Sequence, residues 1–203
     1  MSIPFQDSET AKNLLRAFAG ESQARNRYDF AANLCQKQEL QAMAFIFQAT
    51  AKQEQAHAKV FWDHLQALNG QNLPIYGAYP IEGTNRILEL LRAAQHNEHE
   101  EHGSVYPSFA AIATQEGFPE AAASFRQIAA IDQLHGERFG LLADQLESGA
   151  LFVSQIETGW MCLNCGHTQN SLEAPKQCPV CNHGQGWFIR LELAPWSPVV
   201  KQT

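Results

Sequence analysis

The chain has 203 residues, with 14 basic and 21 acidic side chains, a formal charge of −7 and 45% hydrophobic content. Such a chain can bury a real core, and with no basic patch to neutralise phosphates a nucleic-acid partner is excluded. There is no amino-terminal apolar run with a cleavage site and no stretch of membrane-spanning length, so a cytoplasmic protein without a membrane partner is expected.

The first predicted helix has Ser8 or Asp7 as its cap, and it carries Leu14, Phe18, Glu21, Arg25, Tyr28, Ala32 and Cys35 at steps of three and four residues. Its end, near 38–40, has neither Gly nor Pro. The second carries Met43, Phe47, Thr50, Glu54, His57, Phe61, Leu65 and Leu68, and stops at Gly70. Pro74, Gly77, Pro80 and Gly83 mark 71–83 as a connection long enough to cross a bundle. Thr84 caps the third helix, with Ile87, Leu91, Ala94, Glu98, Glu101, Val105, Phe109 and Ile112 on its inward stripe and Gly117 at its end. Pro119 opens the fourth, which carries Ala121, Phe125, Ile128, Asp132, His135, Phe139, Leu142 and Leu146 before Ser148-Gly149 closes it. Each helix is about 29 residues, roughly 44 Å long. Glu21 to Glu54 spans 33 residues and Glu98 to Asp132 spans 34, so the halves read as a repeated helical hairpin.

Acids and histidines interrupt every stripe at the same height. Glu54-x-x-His57, Asp132-x-x-His135 and Glu98-x-x-Glu101 each place both members toward one centre, because residues three apart are about 60° apart around a helix. Burying unpaired carboxylates is costly, so five of them in one interior call for bound cations. One Glu from each of two helices, with Glu-x-x-His from the other two, is the ligand set of di-iron and di-manganese bundles. Here Asp replaces one Glu and one carboxylate is extra; oxygen donors with two imidazoles suit iron or manganese.

After Gly149 the composition shifts to Gly, Pro and Asn. Cys162-x-x-Cys165 and Cys178-x-x-Cys181, 12 residues apart, form a four-thiolate metal site that would also staple a module too small to fold alone. Zinc and iron both fit these donors, and without the bundle zinc is favoured. The expected organisation is an all-α four-helix ferritin-like bundle at 1–149, then a small four-cysteine, metal-binding β/loop domain with a carboxy-terminal tail at 150–203. Cys35 is expected to pack in the core. His64, His96, His99, His102, His167 and His183 fall beside or off the inward faces and are expected to be solvated or to support ligands from outside.

Residues 14–28, 54–59, 98–101 and 105–110, with the cysteine module at 160–183, resemble the rubrerythrin family in order and spacing, over nearly the whole chain. The resemblance implies a non-haem di-iron peroxidase that reduces hydrogen peroxide to water in oxidative stress protection, with a rubredoxin-like module after the bundle. Two irons would sit in the bundle on Glu21, Glu54, Glu98, Glu101, Asp132, His57 and His135, with Glu54 and Asp132 bridging. Glu101 and His57 would exchange as ligands on reduction, and Tyr28 and Tyr106 would stand beside the cluster. One iron on the four cysteines would pass in electrons from rubredoxin or an NAD(P)H-dependent reductase. A head-to-tail or swapped homodimer is implied, since the module lies roughly 20 Å from the bundle metals of its own chain.

Asp132 departs from the family's Glu and is about 1.5 Å shorter. Either the fourth helix sits closer or the bridge changes, becoming terminal; two metals are still expected. The competing readings are a ferritin-like ferroxidase or iron-handling protein, and a non-enzymatic scaffold or sensor with a zinc ribbon. The tail after Phe188, with Pro195-Trp196-Ser197-Pro198, lies beyond the resemblance and carries no assigned function.

Overall fold

A computed structural model describes residues 3–194; the Pro195-Trp196-Ser197-Pro198 segment lies outside the described residues. Helix α1 (Glu9–Lys37) starts at Ser8, whose Oγ accepts the Ala11 amide at 3.0 Å. The amides of Glu9 and Thr10 donate to the Glu116 carboxylate from across the bundle, an anion at the positive end of a helix. The turn into α2 (Gln41–His64) needs no glycine, because Glu39 takes the left-handed conformation at φ 60°.

Residues 71–86 have no regular structure and form a strap along the bundle. The third bundle helix is α3 (Ile87–Glu100) and α4 (Tyr106–Glu116), joined by a π turn at Glu101–Val105. The fourth is α5 (Pro119–Glu147). Strands β1 (Val153–Cys162), β2 (Thr168–Glu173) and β3 (Phe188–Arg190) form one antiparallel sheet in the order β2-β1-β3.

The π turn corrects the predicted stripe. It inserts one extra residue, so beyond it the inward positions are Tyr106, Ala110 and Ala113, while Val105, Phe109 and Ile112 are only half-buried. Arg25 is likewise exposed, and Ala24 takes the inward place. Thr84 is not the helix cap: its hydroxyl accepts the Arg86 amide, and α3 begins after Arg86.

Two apolar clusters fill the bundle. Tyr28, Phe47, Leu91 and Phe139 belong to one; Leu14, Phe61, Phe125 and Ile128 belong to the other. On every helix, the acids and histidines fall between those clusters in sequence. The small sheet sits on the end of the bundle nearer the first cluster, which it enters through Met161 and Ile189. The approach is close: a Cβ added to Gly186 would lie 1.7 Å from the Glu39 carbonyl oxygen.

Candidate metal centres

Helix register brings all seven predicted bundle residues into one layer. Ligand atoms of Glu21, Glu54, His57 and Asp132 lie within 4.8 Å of one another, as do those of Glu54, Glu98 and His135, and those of Glu98, Glu101 and Asp132. Glu54 belongs to the first two groups and so stands between them. Asp132 groups with His57 rather than His135. Glu21, Glu54, Glu98, Asp132 and His135 are each 1% exposed, and Glu101 alone of the seven is half-buried.

The donors fit cations better than they fit each other. Glu54 Oε1, Glu98 Oε2, both Asp132 oxygens and His135 Nδ1 are buried without a hydrogen-bond partner. Yet His135 Nδ1 is 2.9 Å from Glu54 Oε1 and 3.3 Å from Glu98 Oε2. Close approach without alignment is what lone pairs aimed at a shared point produce. Unmet, each group costs about 1–3 kcal/mol, and charge raises that cost.

Neighbours fix the candidate ligands. The Tyr28 hydroxyl donates to Glu98 Oε1 at 2.5 Å, and the Tyr106 hydroxyl donates to Glu21. Burial pushes both phenols well above their usual range, so they remain donors. Sequence reasoning missed Gln53, whose Oε1 lies 2.9 Å from His135 Nε2. An amide oxygen only accepts, so Nε2 carries the proton and Nδ1 is left for a metal. No periodic signal marks Gln53, an exposed polar neighbour of Glu54.

Gly136 was also missed, and it bears on the Asp132 departure. A Cβ there would lie 2.4 Å from His99 Cδ2 and 3.3 Å from Glu98 Cβ; at Gly140 it would lie 2.3 Å from Gln95 Nε2. The absent side chains let α5 approach α3 one turn beyond Asp132.

In the metal-free protein, protons stand in for cations. Burial raises Glu21 to about 8 and raises Glu98; Glu101 and Asp132 are pushed well up by burial and by neighbouring carboxylates. Burial alone would lower the imidazoles, but Glu21 and Glu54 raise His57 to about 10, and Glu54 and Glu98 raise His135 to about 9. Burial opposes ionisation of Glu54 too, yet both histidines hold it below the usual carboxylate range. Each raised group binds its proton more tightly folded than unfolded. That stabilisation is complete below the ordinary values of 4.5 and 6.5 and is lost as pH climbs through the folded values. Chelator-treated protein is therefore expected to melt at progressively lower temperature from about pH 5 to about pH 10, whereas bound metal flattens the profile. A metal-free melting temperature that rises across this range would contradict the account.

In the small sheet, Cys162 Sγ lies 3.7 Å from Cys181 Sγ, and Cys165 Sγ lies 3.6 Å from Cys178 Sγ. All four thiols converge within 4.8 Å. Each C-x-x-C turn is followed by a left-handed residue, Gly166 at φ 76° and Asn182 at φ 60°. Cys162 and Cys178 are fully buried against Trp160 and Phe188. Cys35 lies in the first apolar cluster, where burial raises its thiol to about 12. Of the other histidines, His102 Nδ1 donates to the Ala129 carbonyl at 2.9 Å and His64 bonds Ser124.

Comparison with known proteins agrees with this pairing of sites. Residues 12–143 match the rubrerythrin family model, and residues 160–189 match that of the rubrerythrin rubredoxin-like domain. The chain is 43% identical over 188 residues to a rubrerythrin of Porphyromonas gingivalis, covering 93% of this chain and 92% of the relative. It is 39% identical to the rubrerythrin of Nitratidesulfovibrio vulgaris, covering 92% and 96%. In fold it resembles a mixed-valence nigerythrin structure (TM-score 0.60, 23% identity, covering 91% and 90%) and a Desulfovibrio desulfuricans bacterioferritin (0.63, 17%, covering 70% and 82%). The bundle is ferritin-like, and its cofactors are a di-iron carboxylate centre and a rubredoxin-type four-cysteine site. The chain belongs to the rubrerythrin family.

Proposed function

We propose that the protein is a non-haem di-iron peroxidase that reduces hydrogen peroxide to water in defence against oxidative stress. One observation carries this reading: two overlapping donor groups that share Glu54 occur on the same chain as a four-thiolate site. Glu21, Glu54, His57 and Asp132 would hold one iron; Glu54, Glu98 and His135 would hold the other. A bound iron pair supplies two electrons together, so peroxide is reduced without releasing a radical. Tyr106 and Tyr28 hold Glu21 and Glu98 in orientation through their hydroxyls. His57 already lies beside Glu21 and Glu54, at 3.6 and 3.0 Å from Nδ1, while Glu101 stands outside that group. This difference supports the reading, implied by the family resemblance, that these two would exchange when the oxidation state changes. Glu101, with the most solvent exposure, is also the side chain placed to pass protons inward.

The four cysteines would relay single electrons from a rubredoxin or an NAD(P)H-dependent reductase in a reducing, cytoplasmic setting, where thiols remain available to metal. From His135 to the end of α5 is roughly 18 Å along the helix, and the small sheet sits at that end. Efficient relay then uses a second copy, in a head-to-tail or swapped homodimer; full turnover by a demonstrated monomer would reject that arrangement.

The test is anaerobic reduction followed by stoichiometric peroxide, watched by absorbance. One equivalent of peroxide per bundle is expected to react at least about tenfold faster than dissolved oxygen at equal concentration. Faster reaction with oxygen would instead identify an iron-oxidising, iron-handling protein.

A further inference from the structure

A cavity of about 230 Å³ lies between α1, the π turn and the strap at 71–86, and Glu101 and Tyr106 form part of its wall. Of the seven residues of the metal layer, Glu101 is the one that is more than slightly exposed. It lines this cavity, so the interior meets solvent here.

The strap forms the roof and is fastened at both ends. At one end the Tyr79 hydroxyl donates to the Arg16 carbonyl, and Arg16 Nε donates to the Tyr76 carbonyl, both at 2.9 Å. At the other, Arg27 Nη1 pairs with both oxygens of Glu82 at 2.7 and 2.8 Å, and Asn97 Nδ2 donates to the same carboxylate at 2.7 Å. This second latch is mostly shielded from water, with side-chain exposures of 13% and 15%. Gly20 leaves the passage open: a Cβ there would lie 3.7 Å from the Tyr79 ring and 3.8 Å from Glu101 Oε1.

A water-sized molecule needs about 10–15 Å³ of such space, so the cavity admits something larger than hydrogen peroxide. Its wall is polar at Glu101 and Arg27 but apolar at Ala17, Val105 and Phe109.

We propose, on the basis of the peroxidase reading, that this cavity is the oxidant's way in and its binding pocket, and that it accepts small alkyl hydroperoxides as well as hydrogen peroxide. The polar end receives the –OOH group beside Glu101, and the apolar wall receives the alkyl group. The O–O bond breaks with two electrons from the reduced metal pair and two protons, giving an alcohol and water; the one-electron donor at the four cysteines restores the electrons.

The test compares wild-type holoprotein with Gly20→Val, whose γ-methyls extend into the gap, and with Glu82→Gln and Tyr79→Ala, which unfasten the roof. Two kinds of rate are measured: oxidation of the reduced protein by hydrogen peroxide and by tert-butyl hydroperoxide, and extraction of bundle Fe(II) by bipyridyl. Gly20→Val is expected to slow all three reactions about tenfold or more at unchanged metal content. The roof variants are expected to speed them severalfold, most for the bulkier reagents. Should Gly20→Val lose metal, the roof variants decide alone. Unchanged extraction and oxidation rates in all variants would place the access route elsewhere. If wild-type protein reduces hydrogen peroxide but not the alkyl hydroperoxide, the substrate class is rejected. If it reduces neither while extraction responds as expected, the route stands and the peroxidase reading fails.

Discussion

Glu54→Ala is expected to empty the bundle of both metal ions while the four-cysteine site stays filled. Glu54 supplies an atom to two of the three donor groups. Its oxygens lie 3.0 Å from His57 Nδ1 and 2.9 Å from His135 Nδ1. Changing a residue that merely supports a ligand costs roughly 10–100-fold in affinity or activity, so losing a shared ligand should exceed about 100-fold. Peroxide reduction then falls to background. The metal-free fold suffers as well, because both buried imidazoles lose a counter-charge, the leading one for His135, and breaking a buried pair costs about 3–5 kcal/mol. Glu54→Gln also removes the charge but keeps the volume and a hydrogen-bonding oxygen, so it is expected to lose metal at a smaller cost to the helices. Metal analysis per chain, with circular dichroism, checks both. Retention of two bundle ions in either variant would contradict the shared role of Glu54.

Cys178→Ser has the second large effect, confined to the other site. Cys178 is fully buried with Trp160 and Phe188, and its thiol faces Cys165. Left without metal, two of the thiols are poorly matched: burial raises Cys162 to about 12, while the His183 amide, first among its neighbours, lowers Cys181 to about 5. A bound cation brings all four to one charge state. In comparable small modules that binding supplies roughly 10–16 kcal/mol and is the folding energy itself. The variant is therefore expected to lose the metal of the thiolate site, its visible absorption and the ordered environment of Trp160. Steady-state peroxide reduction should stop, because no electrons reach the bundle, while a chemically pre-reduced bundle still completes one turnover. Because Met161 and Ile189 pack into the bundle core, the helices should melt a little lower, by about 2–4 °C for each kcal/mol of packing energy removed. Continued steady-state turnover would show that electrons bypass the thiolate site.

How legible all this was in the sequence depends on what each feature adds to a local pattern. Glu54, His57, Asp132 and His135 could be placed because one helix turn fixes the direction of residues three apart. The two C-x-x-C turns were equally readable. The π turn was not: spacing at Glu98, Glu101 and Val105 fits a regular helix, and the extra residue appears only when Tyr106 must reach Glu21. Arg25 fits the three-and-four rule by count, but its neighbour Ala24 allows α1 to approach α2 and takes the interior place. Gly136 is invisible to periodicity altogether. Its effect is an interhelix distance, which exists only once His99 on another helix is beside it. The Asp132 departure was therefore visible in the sequence, but the close helix packing beside it was not.

The seat of the small sheet on the helical hairpin has one more implication. Gly186 meets the Glu39 carbonyl backbone to backbone, and beside it Met161 and Ile189 are buried in the bundle core. A linkage of that kind acts as a fixed spacer. In the proposed peroxidase, the separation between thiolate iron and carboxylate irons in one subunit would then be set by the fold, and the electron current would depend on how copies meet rather than on an internal swinging arm.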